Sequence, residues 1–254
     1  LTTALNDVVH FGLTLFPDPR NPANSCSNGR VVVEPDARTA DQIELQLFLY
    51  GPSGGTPTAE TLLGVQEYLA RSHPDGPNLV ILATDGGPGC NQELSFPECT
   101  CIPDTSCRNA NQNCLDDART IAVIEELTEA DVPSYVIGIP GSERVASVLD
   151  RMAVAGGTDQ DGRHFAVSNP EELTEALRGV AGGVVPCRYQ LGSAPENPDE
   201  VALFIDGIEI ARDTWHRDGW DISDNAFIEL YGFSCRRIRD GEEHVLEVRY
   251  NCGD

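Results

Sequence analysis

Two short segments place oxygen-bearing side chains where a hard metal ion could bind. Thr56 stands in the glycine-rich segment Gly54–Thr58, just ahead of a predicted helix, and Asp85 and Gly86 follow the apolar run Leu79–Ala83 closely. Such a run predicts a strand buried on both faces of a parallel sheet, and ligands of these sheets bind at the carboxyl ends of the strands. A Thr hydroxyl and an Asp carboxylate at that edge are donors that Mg²⁺ and Ca²⁺ prefer.

A serine in the same loop permits a catalytic alternative. The segment Gly51–Gly55 has the form Gly-x-Ser-x-Gly, the nucleophile elbow of α/β-hydrolases, with Ser53 at its centre. Asp85 and His164 follow in the order that such enzymes use. The residues before the loop have a helical pattern, whereas the elbow requires a strand there. We therefore favour a non-catalytic site, with a serine hydrolase as one alternative and a structural domain with an inactive site as another.

The two loops, in this order and with these flanking elements, resemble those of von Willebrand factor type A domains, here of a bacterial secreted or lipoprotein type. Gly54–Thr58 matches the second loop of the family's metal-ion-dependent adhesion site, and Thr84–Gly86 matches the third. The resemblance covers residues 1–183. It implies that Thr56 binds a divalent cation (Mg²⁺, Ca²⁺ or Mn²⁺) directly and that Asp85 binds it directly or through water. Supporting roles in the loops fall to Ser53, Gly54, Gly55 and Gly86.

The family's first loop, Asp-x-Ser-x-Ser, does not occur in this chain. In the family it precedes a helix like the one whose tail we predict at Leu1–Val9, so we expect the first strand and first loop to lie upstream of residue 1. In these domains an acidic side chain of a partner completes the coordination. The resemblance therefore implies adhesion to a protein or cell-surface ligand that bears an acidic residue, without catalysis.

Strands and helices alternate in the first part of the chain, which predicts an α/β fold with a doubly wound, mostly parallel sheet over residues 1–183. The pattern changes after residue 183. Two β-branched runs flank Asp206-Gly207, a strong hairpin signal, and no helical period is visible. We predict a small, all-β, disulfide-stabilised module over residues 184–254, with Trp215 and Trp220 in its core.

Cysteines are dense for a chain of 254 residues. Five of the nine fall in a predicted insertion, residues 86–114, that has no apolar period of its own and needs covalent support. The nine candidates for disulfide bonds are Cys26, Cys90, Cys99, Cys101, Cys107, Cys114, Cys187, Cys235 and Cys252. Zinc binding by Cys99, Cys101, Cys107 and Cys114 is the alternative, although their spacing lacks the paired knuckles of structural zinc sites. Disulfides predict an extracytoplasmic location: secreted, periplasmic or an outer-surface lipoprotein.

The charge of the chain excludes two classes of partner. There are 41 acidic and 17 basic residues, all of the latter Arg, so the formal net charge is −24. Nucleic acids and anionic membrane surfaces require basic patches, and we predict binding to neither. The sequence also has no apolar run of the length that a membrane span requires.

Overall fold

Two structural units, residues 1–176 and 177–254, divide the chain. The computed structural model describes residues 9–51, 53–72, 77–184, 187–191, 195, 197–223, 227–240 and 244–250. The division falls within a helix, Pro170–Val184, whereas the domain boundary predicted from the sequence lies near the end of that helix. Residues 1–8 of the predicted N-terminal helix tail lie outside the described part.

The first unit contains an antiparallel hairpin and a separate parallel sheet. The hairpin pairs β1 (Phe11–Leu15) with β2 (Arg30–Asp36). The parallel sheet has the order β3 (Val80–Thr84), β4 (Ser134–Gly138), β5 (Phe165–Ala166). The predicted α/β character and a parallel sheet are thus present, in an arrangement of mixed parallel and antiparallel sheets.

Five helices accompany these strands in the described part of the chain. They are α1 (Ala40–Leu49), α2 (Thr58–Ser72), α3 (Asp117–Glu129), α4 (Ala146–Ala155) and α5 (Pro170–Val184). The apolar residues of α2, α3 and α4 recur every three or four positions, so each helix turns one face towards the strands. That face and the sheet share a core that includes Leu62, Leu82, Ile124, Val136, Leu149 and Met152. Each of these large side chains contributes roughly 1.5–3 kcal/mol by leaving water.

The strand β3 is less buried than its sequence predicts. Leu82 and Thr84 are buried, but Ala83 between them is exposed. The expectation of a strand buried on both faces was therefore wrong for this position. Side chains alternate between the two faces of a strand, so Ala83 lies on the face opposite Leu82 and Thr84, and at this position that face is not covered.

In its described residues the second unit has two three-stranded antiparallel sheets, one short helix and the end of α5. Their orders are β6-β10-β9 and β11-β7-β8. The elements are β6 (Arg188–Gln190), β7 (Val201–Ile205), β8 (Ile208–Ile210), β9 (Gly219–Ser223), β10 (Phe227–Tyr231), α6 (Gly232–Ile238) and β11 (Leu246–Tyr250). The predicted hairpin is confirmed: Asp206 and Gly207 both have positive φ, 52° and 75°, as a tight turn between β7 and β8 requires.

The prediction of an all-β module was wrong because of α6. Its seven residues span about two turns, too few to show a helical period in the sequence. Tertiary contacts hold it instead, since Ser234 and Ile238 are buried and Cys235 forms a disulfide with Cys187.

Disulfide bonds join eight of the nine cysteines, as predicted. The pairs are Cys26–Cys90, Cys99–Cys114, Cys101–Cys107 and Cys187–Cys235. The sulfurs of Cys99, Cys107 and Cys114 lie within 4.8 Å of one another, but as parts of two adjacent disulfides rather than as free thiolates for zinc. Cys252 lies outside the described residues.

Candidate functional site

The loop that carries Thr56 is held by its backbone. Gly55 N donates to Ser25 O (2.7 Å), and Thr56 O accepts from Gly89 N (2.8 Å). Gly54 has φ +94°, and a Cβ there would lie only 2.8 Å from the Pro17 side chain, so glycine is required. These contacts fix the half-buried Thr56 immediately ahead of α2.

Asp85 projects from the carboxyl end of β3, as predicted. The turn is closed by the hydroxyl of Thr84, which donates to Gly86 O (3.0 Å) and accepts from Gly86 N (3.3 Å). The strand end is tied to its neighbour, since Ile139 N donates to Thr84 O (2.9 Å). The Asp85 side chain is exposed, and within the described residues no hydrogen bond or ion pair engages its carboxylate. It is therefore available to bind a cation.

The two predicted ligand loops lie side by side. A Cβ built on Gly86 would be 4.0 Å from Thr56 Oγ1, which places the hydroxyl of one loop near the backbone of the other. Among the predicted supporting residues, Gly54 packs on Pro17, Gly55 packs on Cys90, and Gly86 lies near Thr56.

A second carboxylate, that of Glu143, lies near the Asp85 loop and was not anticipated from the sequence. Glu143 accepts hydrogen bonds from Gly141 N at 3.0 and 3.2 Å. The position of a Cβ on Gly141 is 3.0 Å from Asp85 O, so the Glu143 turn packs against the Asp85 loop. Backbone N–H groups of Glu143 and Gly141 lower the pKa of the Glu143 carboxyl, which keeps it charged. The only sequence signal was an acidic residue in the turn after a strand.

The histidine that a hydrolase would need, His164, is engaged by residues other than Ser53. His164 is buried, and its Nδ1 lies 2.6 Å from Asp150 Oδ1. Its Nε2 points to Gly138, since a Cβ there would lie 2.8 Å away. Within the part of the chain that is described, Ser53 is exposed and has no hydrogen bond to a histidine. This arrangement gives no support to the Ser53–His164–Asp85 constellation.

A buried polar network connects α2 to the end of the cysteine-rich insertion. Asn91 Nδ2 donates to Asp116 Oδ1 (2.8 Å), and Arg119 Nε donates to Asp116 Oδ2 (2.9 Å). Arg119 also pairs with Glu60 in the first turn of α2. The Asp116 side chain is only 3% exposed, so these partners supply the compensation that a buried charge requires. The network holds the start of α2, and hence the Thr56 loop, against α3.

A cleft of about 630 Å³ lies beside this network. It is lined by the Cys26–Cys90 disulfide and by polar side chains, among them Asn28, Gln92 and Arg119. Cys90 Sγ would lie 2.6 Å from a Cβ on Gly55, so the disulfide packs directly against the Thr56 loop.

The site offers a hydroxyl and a free carboxylate in an acidic setting. Mg²⁺ takes about six oxygen ligands, so Thr56 and Asp85 would supply two, and water, further residues or a partner would supply the rest. The net charge of −24 favours the binding of cations to the protein in general.

Comparison with solved structures finds a fold similar to that of part of a pilus adhesin. The pilus adhesin SpaC from Lactobacillus rhamnosus GG, in its open conformation, is similar with a TM-score of 0.51 and 13% sequence identity, over 99% of this chain and 36% of that one. A second crystal form of SpaC has a TM-score of 0.48 at 12% identity, over 98% of this chain and 34% of that one. This chain thus spans about a third of the length of SpaC. No protein-family model and no curated protein matches it.

The covalent structure of the protein bears on its location. Four disulfides indicate an oxidising environment such as the extracellular space. Among the described helices, none has the length and apolar character needed to cross a membrane.

Proposed function

We propose that this chain is an extracellular, non-catalytic binding module of the von Willebrand type A kind, which engages its partner through a divalent cation. Thr56 Oγ1 and an Asp85 carboxylate oxygen would hold Mg²⁺, Ca²⁺ or Mn²⁺. The bound cation supplies the positive charge that an acidic side chain of a protein or cell-surface ligand needs. The observation that carries the proposal is the proximity of the Thr56 hydroxyl to Gly86, 4.0 Å from the position that a Cβ there would take, next to a carboxylate that is exposed and unpaired in the described structure.

Three further observations support a binding role. The fold is similar to that of a pilus adhesin, although that likeness concerns the fold alone. The disulfides suit a protein that works outside the reducing cytoplasm. The serine that could suggest a hydrolase, Ser53, has no histidine partner among the described residues.

Calorimetric titration of the full-length protein with each of Mg²⁺, Ca²⁺ and Mn²⁺ tests the proposal. We expect saturable binding of at least one cation, reduced at least tenfold in Asp85→Ala and in Thr56→Val. Glu125→Ala is the matched control, since Glu125 is an exposed acid on α3. Absence of saturable binding, or equal binding by Asp85→Ala and the wild type, would refute the cation site.

A further inference from the structure

The C-terminal half of α1 exposes an unusual amount of apolar surface. Four side chains, here called the α1 patch, are exposed to the extents Leu45 53%, Leu47 55%, Phe48 85% and Leu49 57%. The same helix buries Ala40 and Ile43 against the β1–β2 hairpin, so its attachment to the unit does not use the patch. Large apolar side chains that are exposed together in this way mark an interaction site.

The α1 patch lies at the end of the helix that leads to the candidate cation site. The helix starts beside the beginning of β1, where Thr39 Oγ1 donates to Phe11 O (2.6 Å). The chain after α1 reaches the other end of β1, where Gly54 packs on Pro17. Seven residues separate Leu49 from Thr56, a span of at most about 25 Å. An ordinary protein interface, which buries ~800 Å² on each partner, is wide enough to include both.

The charges around the α1 patch indicate what kind of partner fits it. Asp41 and Glu44 are exposed on the same helix, and the chain as a whole has a net charge of −24. A second copy of the chain would place the same acids and the same net charge opposite each other, which disfavours self-association through this face. A partner with apolar side chains accompanied by Arg or Lys is complementary to it in both respects.

We propose that the α1 patch selects the protein ligand of the cation site. The inference rests on the proposed function: the ligand would place a carboxylate at the cation held by Thr56 and Asp85. The same ligand segment would place an aromatic or aliphatic side chain, with a basic neighbour, on Phe48 and Leu49. The cation then provides attachment that any accessible acid could use, and the patch provides the discrimination between ligands.

The test uses a random 12-residue peptide library displayed on phage and selected against the full-length protein in Mg²⁺. We expect the enriched peptides to combine an acidic residue with aromatic or aliphatic residues and Arg or Lys. Binding of a synthetic copy of an enriched peptide, followed by fluorescence anisotropy, should weaken at least tenfold in Phe48→Glu. It should be unchanged in Val154→Glu, the matched control, because Val154 is a 53% exposed apolar residue on α4.

The outcomes separate this inference from the proposed function. Calorimetric cation binding should persist in Phe48→Glu and be lost in Asp85→Ala, so failure of the cation site is visible independently of the patch. Enriched peptides that lack apolar residues, or equal peptide binding by Phe48→Glu and the wild type, would overturn the inference. So would a dimer, seen by sedimentation, that Phe48→Glu dissociates, since a second copy would then be the occupant. Binding of an apolar dye at the patch only after removal of residues 1–8 would mean that these residues of the chain itself occupy the patch. That result would also overturn the inference.

Discussion

The hydroxyl oxygen of Thr56 lies 4.0 Å from the point where a side chain on Gly86 would begin. These two residues are thirty positions apart in the chain and belong to different loops. Their proximity places the hydroxyl beside the peptide that follows Asp85. A side chain introduced at residue 86 therefore tests the candidate site directly.

Substitutions of Gly86 should affect cation binding according to their size. A methyl group at 4.0 Å from Thr56 Oγ1 makes an ordinary contact, so Gly86→Ala should retain binding. A branched side chain such as that of Gly86→Leu would extend to the hydroxyl and displace it or the cation, and we expect at least a tenfold loss of affinity. Calorimetry measures both, and circular dichroism checks the fold. Equal affinities for the two variants would contradict a site between these loops.

Removal of the Cys26–Cys90 disulfide should destabilise the first unit and loosen the Thr56 loop. The bond closes a sequence separation of 64 residues, against 6 for Cys101–Cys107. Loop entropy predicts a loss of about 4 kcal/mol for the first bond and about 2 kcal/mol for the second. Urea unfolding of the two double Cys→Ser variants measures the difference. An equal loss in both would show that loop length does not govern the effect.

Replacement of Arg119 by Met should be costly because of Asp116. Asp116 is buried and would lose its cationic partner, which predicts a loss of about 3 kcal/mol in the free energy of unfolding. Arg151→Met is the control, since the Arg151–Asp117 pair joins a side chain that is 56% exposed to one that is 25% exposed. Exposed pairs contribute less than about 1 kcal/mol. Denaturant titration of both variants distinguishes the two environments.

The second unit should lose stability as the pH rises above neutrality. His244 Nδ1 lies 2.8 Å from Asp206 Oδ2, and its Nε2 lies 2.9 Å from Asp240 Oδ1. Burial would lower the pKa of His244, but the two carboxylates outweigh it and raise the pKa. The folded unit therefore holds this proton more tightly than the unfolded chain does. The resulting stabilisation is complete below about pH 6.5 and is lost as the pH rises through the raised pKa.

Asp206 should make the stability of the second unit fall at acidic pH. The hydrogen bond from His244, the Val245 N–H and the Arg237 guanidinium lower the pKa of the Asp206 carboxyl, so its stabilisation is lost as the pH falls through that lowered value. Thermal unfolding between pH 3 and pH 9 should show a maximum between the two limbs. His244→Gln should remove the alkaline limb, whereas His10→Gln, an exposed position in the other unit, should leave it intact. An alkaline limb that persists in His244→Gln would contradict the assignment.

Local elements of this protein could be predicted because neighbouring residues determine them. The helix α2 follows from apolar residues at helical spacing, and the β7–β8 hairpin follows from Asp206-Gly207, which readily adopts positive φ. The presence of disulfides followed from the number of cysteines, but their pairing did not, because each pairing depends on which loops the fold brings together.

The two tryptophans show where prediction from the sequence ended. Trp220 is buried as predicted, with its Nε1 donating to Ile210 O (2.8 Å). The prediction for Trp215 was wrong: it is 79% exposed, on a turn in which Asp213 Oδ1 accepts from Trp215 N (2.9 Å). Both residues lie in one short stretch without a regular period, so only the packed structure assigns one of them to the core.

The sequence by itself determined that Thr56 and Asp85 end up on loops at the edge of an α/β unit, since each follows or precedes an element with a clear pattern. Only the tertiary structure decided that the Thr56 hydroxyl lies near Gly86, that the Glu143 turn packs on the Asp85 loop, and that the end of α1 is left exposed. These features arise from the arrangement of segments far apart in the chain. They depend on how whole strands and helices pack together, which no local pattern of residues encodes.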